Sequence, residues 1–279
     1  MRSFRRGSPM LAALVGATLM TACDDLSTSP ARTPQVTLSF TAPATGDAGT
    51  PGTTTAAGAQ VTDGAGRRIE LDRVQLLIAE VELKRLRHDQ CAEEDDACEK
   101  FQSGPSLVDL PLDGGVVTPF TSPITPDTYE ELELEIDQPE DDDGSRARFA
   151  AEHPDWPGKA TVRVTGSYDA GTGGGAQPFD VFLEIEAEIE REFATPLVVD
   201  ATTDPASINV TVEIDLADWF RRAGGELIDP RALAADANLM DIVEENVEQS
   251  FAAFEDHDGD GRDDSDDDDR SGRDHDEDD

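Results

Sequence analysis

The chain has few of the residues that most enzyme chemistry relies on. It holds three cysteines and four histidines in 279 residues. His88 and His153 stand alone in polar segments, and His257 and His275 fall in an acidic C-terminal region. No His-x-x-x-His pair, Gly-x-Ser-x-Gly elbow or phosphate-binding loop occurs, which removes the usual motif-based readings of metalloprotease, serine hydrolase or nucleotide-binding protein. The run Gly171–Gly175 joins two strand-like segments and leads into no helix, so it reads as a hairpin linker. Basic residues are also scarce: 22 Lys and Arg stand against 62 Asp and Glu, a formal net charge of −40. Phosphate neutralisation needs Lys and Arg, so nucleic acid is excluded as a natural partner. The apolar stretch Met10 to Met20, about eleven residues, is too short to cross a bilayer.

What surrounds that stretch is informative. Arg2, Arg5 and Arg6 precede it, and it closes on Leu19-Met20-Thr21-Ala22-Cys23. A basic start, a short apolar run and small residues before a cysteine resemble the signal and lipobox of signal peptidase II substrates. The expectation is removal of residues 1–22 and acylation of Cys23. The protein would then be lipid-anchored outside the cytoplasm, in the periplasm or at the cell surface. Met20 stands where leucine is usual, so an ordinary secretory peptide with an incidental cysteine is the competing reading. Asp24 and Asp25 resemble an enterobacterial inner-membrane retention signal. Cys91 and Cys98 remain, bracketing a polar loop. An oxidising compartment makes a disulfide the default, and so short a loop adds about 2 kcal/mol in the chain-entropy model. No His-rich set lies nearby to make them a zinc site.

Residues 23–34 read as a Ser-, Thr- and Pro-rich tether. Val36, Leu38 and Phe40 alternate with polar residues, as in a half-buried strand. Residues 43–66 read as a long loop. Between Ile69 and Leu86 a helical spacing (Leu71, Val74, Ile78, Val81) competes with two strands that bend near Ala79; recurring alternation downstream favours strands. Leu107 to Leu112 is a short strand, and the glycines and prolines of 113–128 predict turns. Tyr129–Ile136, a strand around Val162 and Val164, a long strand Phe179–Ile189, and Ile208–Ile214 follow. Their period of two puts one face inward and one in water. Ala217–Arg222 predicts one helical turn and Ala232–Phe254 an amphipathic helix. The fold class is mainly β: an antiparallel β-sandwich, one large or two small, over residues 35–254 with a C-terminal helix, followed by an acidic calcium-loop-like stretch over 255–279 whose end, Asp266–Asp279, reads as a disordered acidic tail.

Asp256-His-Asp-Gly-Asp-Gly-Arg-Asp-Asp264 matches the opening of a calcium loop, with carboxylates at Asp256, Asp258 and Asp260 and glycine next. Calcium takes six to eight oxygens, and alternate aspartates on a tight loop supply them. Arg262 would offer its backbone carbonyl, and Asp264 and Asp267 would complete the set. The loop resembles single dockerin or thrombospondin-type repeats more than a paired EF-hand, because Asp267 replaces glutamate and no exiting helix follows. The other reading is that these aspartates merely begin the tail. Glutamates alternating along strands lie roughly 7 Å apart on one face. That spacing admits a second metal site, but a solvated face accounts for them more simply. Trp156 and Trp219 admit a sugar-stacking role, with Trp219-Phe220 reading as core.

Ile69–Leu83, Leu107-Val-Asp-Leu-Pro-Leu112 and the proline-led Thr125-Pro-Asp-Thr-Tyr129 entering Leu132–Ile136 resemble uncharacterised bacterial and archaeal lipoproteins with a prealbumin-like domain of unknown function. That family usually has glycine where Thr128 stands. The resemblance implies a β-sandwich and no activity. Together these readings lead to the expectation of a non-catalytic envelope lipoprotein that binds calcium and an unknown protein or envelope polymer. The alternatives are a cation buffer acting through the tail, or a hydrolase built on scattered carboxylates.

Overall fold

Within this computed structural model, residues 34–43, 59–86, 104–139, 144–200, 208–256 and 258–263 are described. Cys23, Cys91, Cys98, Asp264, Asp267 and the acidic tail lie outside them. The chain is mainly β and forms an antiparallel β-sandwich, with one parallel pair. Strands β1 (Gln35–Thr41), β6 (Val116–Pro123), β11 (Ile208–Ile214) and β12 (Phe251–Glu255) make one sheet in the order β12-β11-β1-β6. Here β1 and β11 run parallel, Val36 opposite Ile208. A second sheet takes β2 (Ala59–Thr62), β3 (Arg68–Ile78), β8 (Val162–Asp169) and β9 (Gln177–Leu183), with β5 (Ser106–Asp109) also on β3. The third, β10-β7-β4, contains β4 (Glu80–Arg85), β7 (Asp127–Ile136) and β10 (Ala187–Val199).

Alternation does what its period demands. Leu132, Leu134 and Ile136 of β7 are buried, as are Val210, Val212 and Ile214 of β11, and all join one continuous apolar core. Two chain segments cross from the second sheet to the third. β3 becomes β4 after Ala79, the bend expected from the parity change, and β9 becomes β10 after Glu184–Glu186. Thr161, fully buried, clasps both corners. Leu77 N–H donates to its carbonyl at 2.7 Å, while Ile185 donates to Oγ1 at 2.9 Å and accepts from it at 2.6 Å. At Gly166, opposite a register shift in β3, any Cβ would collide with the Glu70 carbonyl.

Several expectations change. The stretch read as one strand, Phe179–Ile189, is two strands in different sheets. Leu183, Ile185, Ala187 and Ile189 stay buried across the corner, so the periodicity reported burial and not pairing. Residues 113–128 contain β6, which carries Pro119 and Pro123; at a sheet edge the missing N–H groups are tolerated. The predicted long loop contains β2. The helix expected over Ala232–Phe254 is split at Asp236 into the end of a 3₁₀ helix (Pro230–Ala235) and α2 (Ala237–Gln249), which Asp236 caps, and Phe251–Glu255 is a strand on β11. Ala217–Arg222 makes irregular turns closed by an Arg221–Leu227 bridge, with no helical turn. Helix α1 (Ser145–Glu152) was not expected.

The turn between β2 and β3 is fastened by Asp63, whose side chain is 2% exposed. It accepts from the N–H groups of Ala65, Arg67 and Leu227 and from Arg67 Nε. Burial opposes its charge, but the Leu227 and Arg67 donors outweigh this and hold its carboxyl at about 2, below the ordinary 3.8. Among the described residues, no helix is long and apolar enough to cross a membrane.

Candidate metal centre

β12 lies beside β11 and delivers Asp256 to the polar outer side of the β6-β1-β11-β12 sheet. There the Asp256 N–H donates to Asn209 O at 3.0 Å. Asp256 is the one charged residue fully buried among those described. Its Oδ1 accepts from Gly259 N–H at 2.8 Å and Asp260 N–H at 3.1 Å. Its Oδ2 accepts from Gly261 N–H at 2.9 Å and Thr211 Oγ1 at 2.7 Å. The chain therefore curls around this one carboxylate. Asp260 N–H also donates to Asp258, and Arg262 N–H donates to Asp260 Oδ1 at 3.0 Å, continuing a series of aspartate turns. Gly261 sits at φ 83°, where a Cβ would meet Val116 Cγ2 at 2.7 Å. Glycine at this position of the motif is thus required both by backbone conformation and by close approach to β6.

The turns converge Asp256, Asp258 and Asp260, with one oxygen of each within 4.8 Å of the others. Asp258 and Asp260 are exposed. The ion pair found here is Arg262 to Asp260 at 3.6 Å, made by a guanidinium side chain 85% exposed. Of the six residues expected from the sequence, the structure brings together three carboxylates and places Arg262 beside them. Asp264 and Asp267 lie outside the described residues. Sequence spacing identified the aspartates but assigned Asp256 only as a ligand. Its four hydrogen bonds make it also the post on which the loop is built, and Thr211, which shares it, gave no signal in the sequence.

A second acidic group differs in one respect. Glu131 and Glu133 of β7 and Glu190 of β10 also place oxygens within 4.8 Å of one another. The Lys84 ammonium already occupies their centre, at 2.9, 2.5 and 3.2 Å. Burial opposes its charge, but hydrogen bonds to Glu133, Glu131 and Glu190 outweigh it, so the lysine holds its proton more tightly than a free one. This site carries its own cation.

A cleft of about 420 Å³ opens between the start of β5 and α1, lined in part by Arg148, Glu152 and His153. Among the described residues, Glu152 is the single carboxylate lining it. Trp219 is core, donating Nε1–H to Ser250 Oγ at 2.8 Å. Trp156 packs edge-on against Phe149 and Phe182, with Nε1–H on Ala160 O at 2.6 Å.

No family model matches the chain, and no curated protein does. The resemblance to prealbumin-like lipoproteins therefore gains no family match. Among solved structures the chain is similar to MbnP from Methylosinus trichosporium, at 14% identity over 80% of this chain and 98% of that one, with a TM-score of 0.38. A likeness this distant carries nothing about ligand or activity.

Proposed function

We propose that this protein is a lipid-anchored, non-catalytic β-sandwich of the bacterial cell envelope whose C-terminal loop binds calcium. The observation that carries the calcium reading is the convergence of Asp256, Asp258 and Asp260 within 4.8 Å in a loop whose aspartate turns match the sequence motif. Three carboxylates so close repel by roughly 1–3 kcal/mol per pair, depending on the local dielectric. Exposed Arg262 offsets little of that. A divalent ion turns the repulsion into attraction, and calcium's tolerance of irregular oxygen geometry suits a loop open on one side. The expected dissociation constant is on the order of 0.1–1 mM, as for extracellular modules. Anchoring rests on Cys23 and the segment before it.

Calorimetric calcium titration of the chain beginning at Asp24, compared with its Asp258→Asn/Asp260→Asn variant, tests the loop. Substitution is preferable to deleting residues 256–279, because Asp256 is part of the fold. Loss of one calcium per chain in the variant is expected, and unchanged uptake would overturn the assignment. Palmitate labelling of the full-length protein and of Cys23→Ser tests the anchor. Equal labelling, or none in either, would remove it.

A further inference from the structure

Four Asp-Gly bonds lie within the described residues: Asp63–Gly64, Asp113–Gly114, Asp258–Gly259 and Asp260–Gly261. Such a bond carries its own chemistry. The glycine nitrogen can attack the aspartyl side-chain carboxyl carbon, forming a C–N bond and expelling water. The cyclic imide then takes up water. Breaking its bond from nitrogen to the main-chain carbonyl leaves isoaspartate, with the backbone routed through the former side chain. Nothing is oxidised or reduced, and water is the only co-reactant. Two conditions govern the first step. The carboxyl must take a proton, so that its oxygen leaves as water, and the glycine nitrogen must give one up.

The fold treats the four bonds differently. Asp63 is 2% exposed, and its carboxylate accepts four hydrogen bonds, from Ala65, Leu227 and, twice, Arg67. Burial opposes its charge, but the Leu227 and Arg67 donors hold it at about 2, so near neutral pH it stays ionised and its carbon is a poor electrophile. In the C-terminal loop the protection falls on the nitrogens. Gly259 N–H donates to Asp256 Oδ1 at 2.8 Å, and Gly261 N–H to Asp256 Oδ2 at 2.9 Å. Removing either proton would set an amide anion against a buried carboxylate, and like charges so close repel strongly away from water. The same bonds fix both peptide groups in place.

Asp113 has neither protection. Asp113, Gly114 and Gly115 are all exposed. Gly114 N–H meets the neutral carbonyl of Pro111 at 3.3 Å, which is long for such a bond. Asp113 Oδ1 accepts from Gly115 N–H at 3.1 Å, an Asx turn that curls the carboxyl back over the Gly114 peptide. Gly114 holds φ 77°, a conformation that glycine reaches without strain. We infer that Asp113–Gly114 is where the folded protein forms isoaspartate, and that Asp256 shields the two Asp-Gly bonds of its own loop. The turn leads directly into β6, where Thr41 Oγ1 donates to Gly115 O at 2.9 Å and Val116 closely approaches Gly261. A lengthened backbone at Asp113 therefore falls beside the wall on which the Asp256 loop packs. Calcium takes no part in this chemistry, so failure of calcium uptake by the loop would leave it untouched.

The test is prolonged incubation of the full chain near neutral pH in EDTA, folded and in urea. Peptide mapping with electron-transfer fragmentation then separates isoaspartyl from aspartyl peptides. The urea sample gives each bond its unprotected rate, a reference that needs no variant. Against it, Asp113 in the folded chain is expected to isomerise within about threefold, and Asp63, Asp258 and Asp260 at least about tenfold more slowly. Asp256→Asn, whose amide can serve only one side of the post, is expected to raise isoaspartate at Asp260 about tenfold while circular dichroism shows the chain still folded. Asp113→Ser should remove the main isoaspartyl product and leave the loop bonds as slow as before. Loop bonds that isomerise as fast folded as in urea would overturn the inference. So would an Asp113 as protected as they are, or an unchanged loop rate in folded Asp256→Asn.

Discussion

Replacing Asp256 by asparagine keeps the shape of the side chain and removes its charge from a fully buried position. In the native loop each of its oxygens accepts two hydrogen bonds, from Gly259 and Asp260 on one side and from Gly261 and Thr211 on the other. An amide can satisfy only one side. Its NH₂ is best turned toward Thr211, whose hydroxyl can rotate to accept, but the buried Gly261 N–H then faces a donor. Losing the charge on the retained bonds and orphaning one buried donor together cost about 3 kcal/mol. For a domain of this size that lowers the melting temperature by about 6–12 °C. The assay is thermal unfolding followed by circular dichroism in EDTA, so that no divalent ion contributes. Asp258→Asn and Asp260→Asn, exposed in the same loop, should each change stability by less than about 1 kcal/mol under those conditions. If Asp256→Asn melts within a degree or two of the unaltered chain, Asp256 does not hold the loop to the sheet and the reasoning fails.

Thr161→Val keeps the volume of the corner but strips the hydroxyl from Ile185, leaving a buried N–H and C=O unpaired. Urea denaturation should show a loss of about 2–3 kcal/mol. Acid stability should follow two groups of opposite sign. Asp63, held at about 2 against an ordinary 3.8, contributes stability that is present above 3.8 and lost as pH falls through 2. Glu188, raised above its ordinary 4.5 first by the charge of Glu133, contributes stability that is present below 4.5 and lost as pH rises through its folded value. Unfolding free energy measured against pH should therefore peak in mild acid, with Asp63→Asn flattening the acid limb and Glu188→Gln the other; an unaltered profile in either would refute its assignment. Lys84→Met removes the cation shared by Glu131, Glu133 and Glu190. It should lower stability in EDTA and recover part of it in millimolar calcium, and no calcium dependence beyond that of the unaltered chain would count against the cluster acting as a cation socket.

The alternating segments were legible from the chain because burial of one sheet face imposes a period of two, whichever strand lies alongside. Partners were not legible. Leu183, Ile185 and Ala187 keep one parity through a change of sheet, and β6 hides behind prolines that an edge position tolerates. Phe251 and Phe254 fit a helical spacing equally well, and pairing with β11 decided the matter. The aspartates of the loop announced themselves by spacing, since a cation-binding turn is local in sequence. By itself the sequence determined which residues are buried, the acidity of the chain, the aspartate spacing of the loop and the lipobox resemblance at Cys23, because each depends on residues near one another along the backbone. Only the tertiary structure decided that Asp256 is a buried post shared with Thr211, and that Lys84 sits among Glu131, Glu133 and Glu190. Those facts depend on which strands are neighbours, and long-range pairing is set by the packing of the whole core.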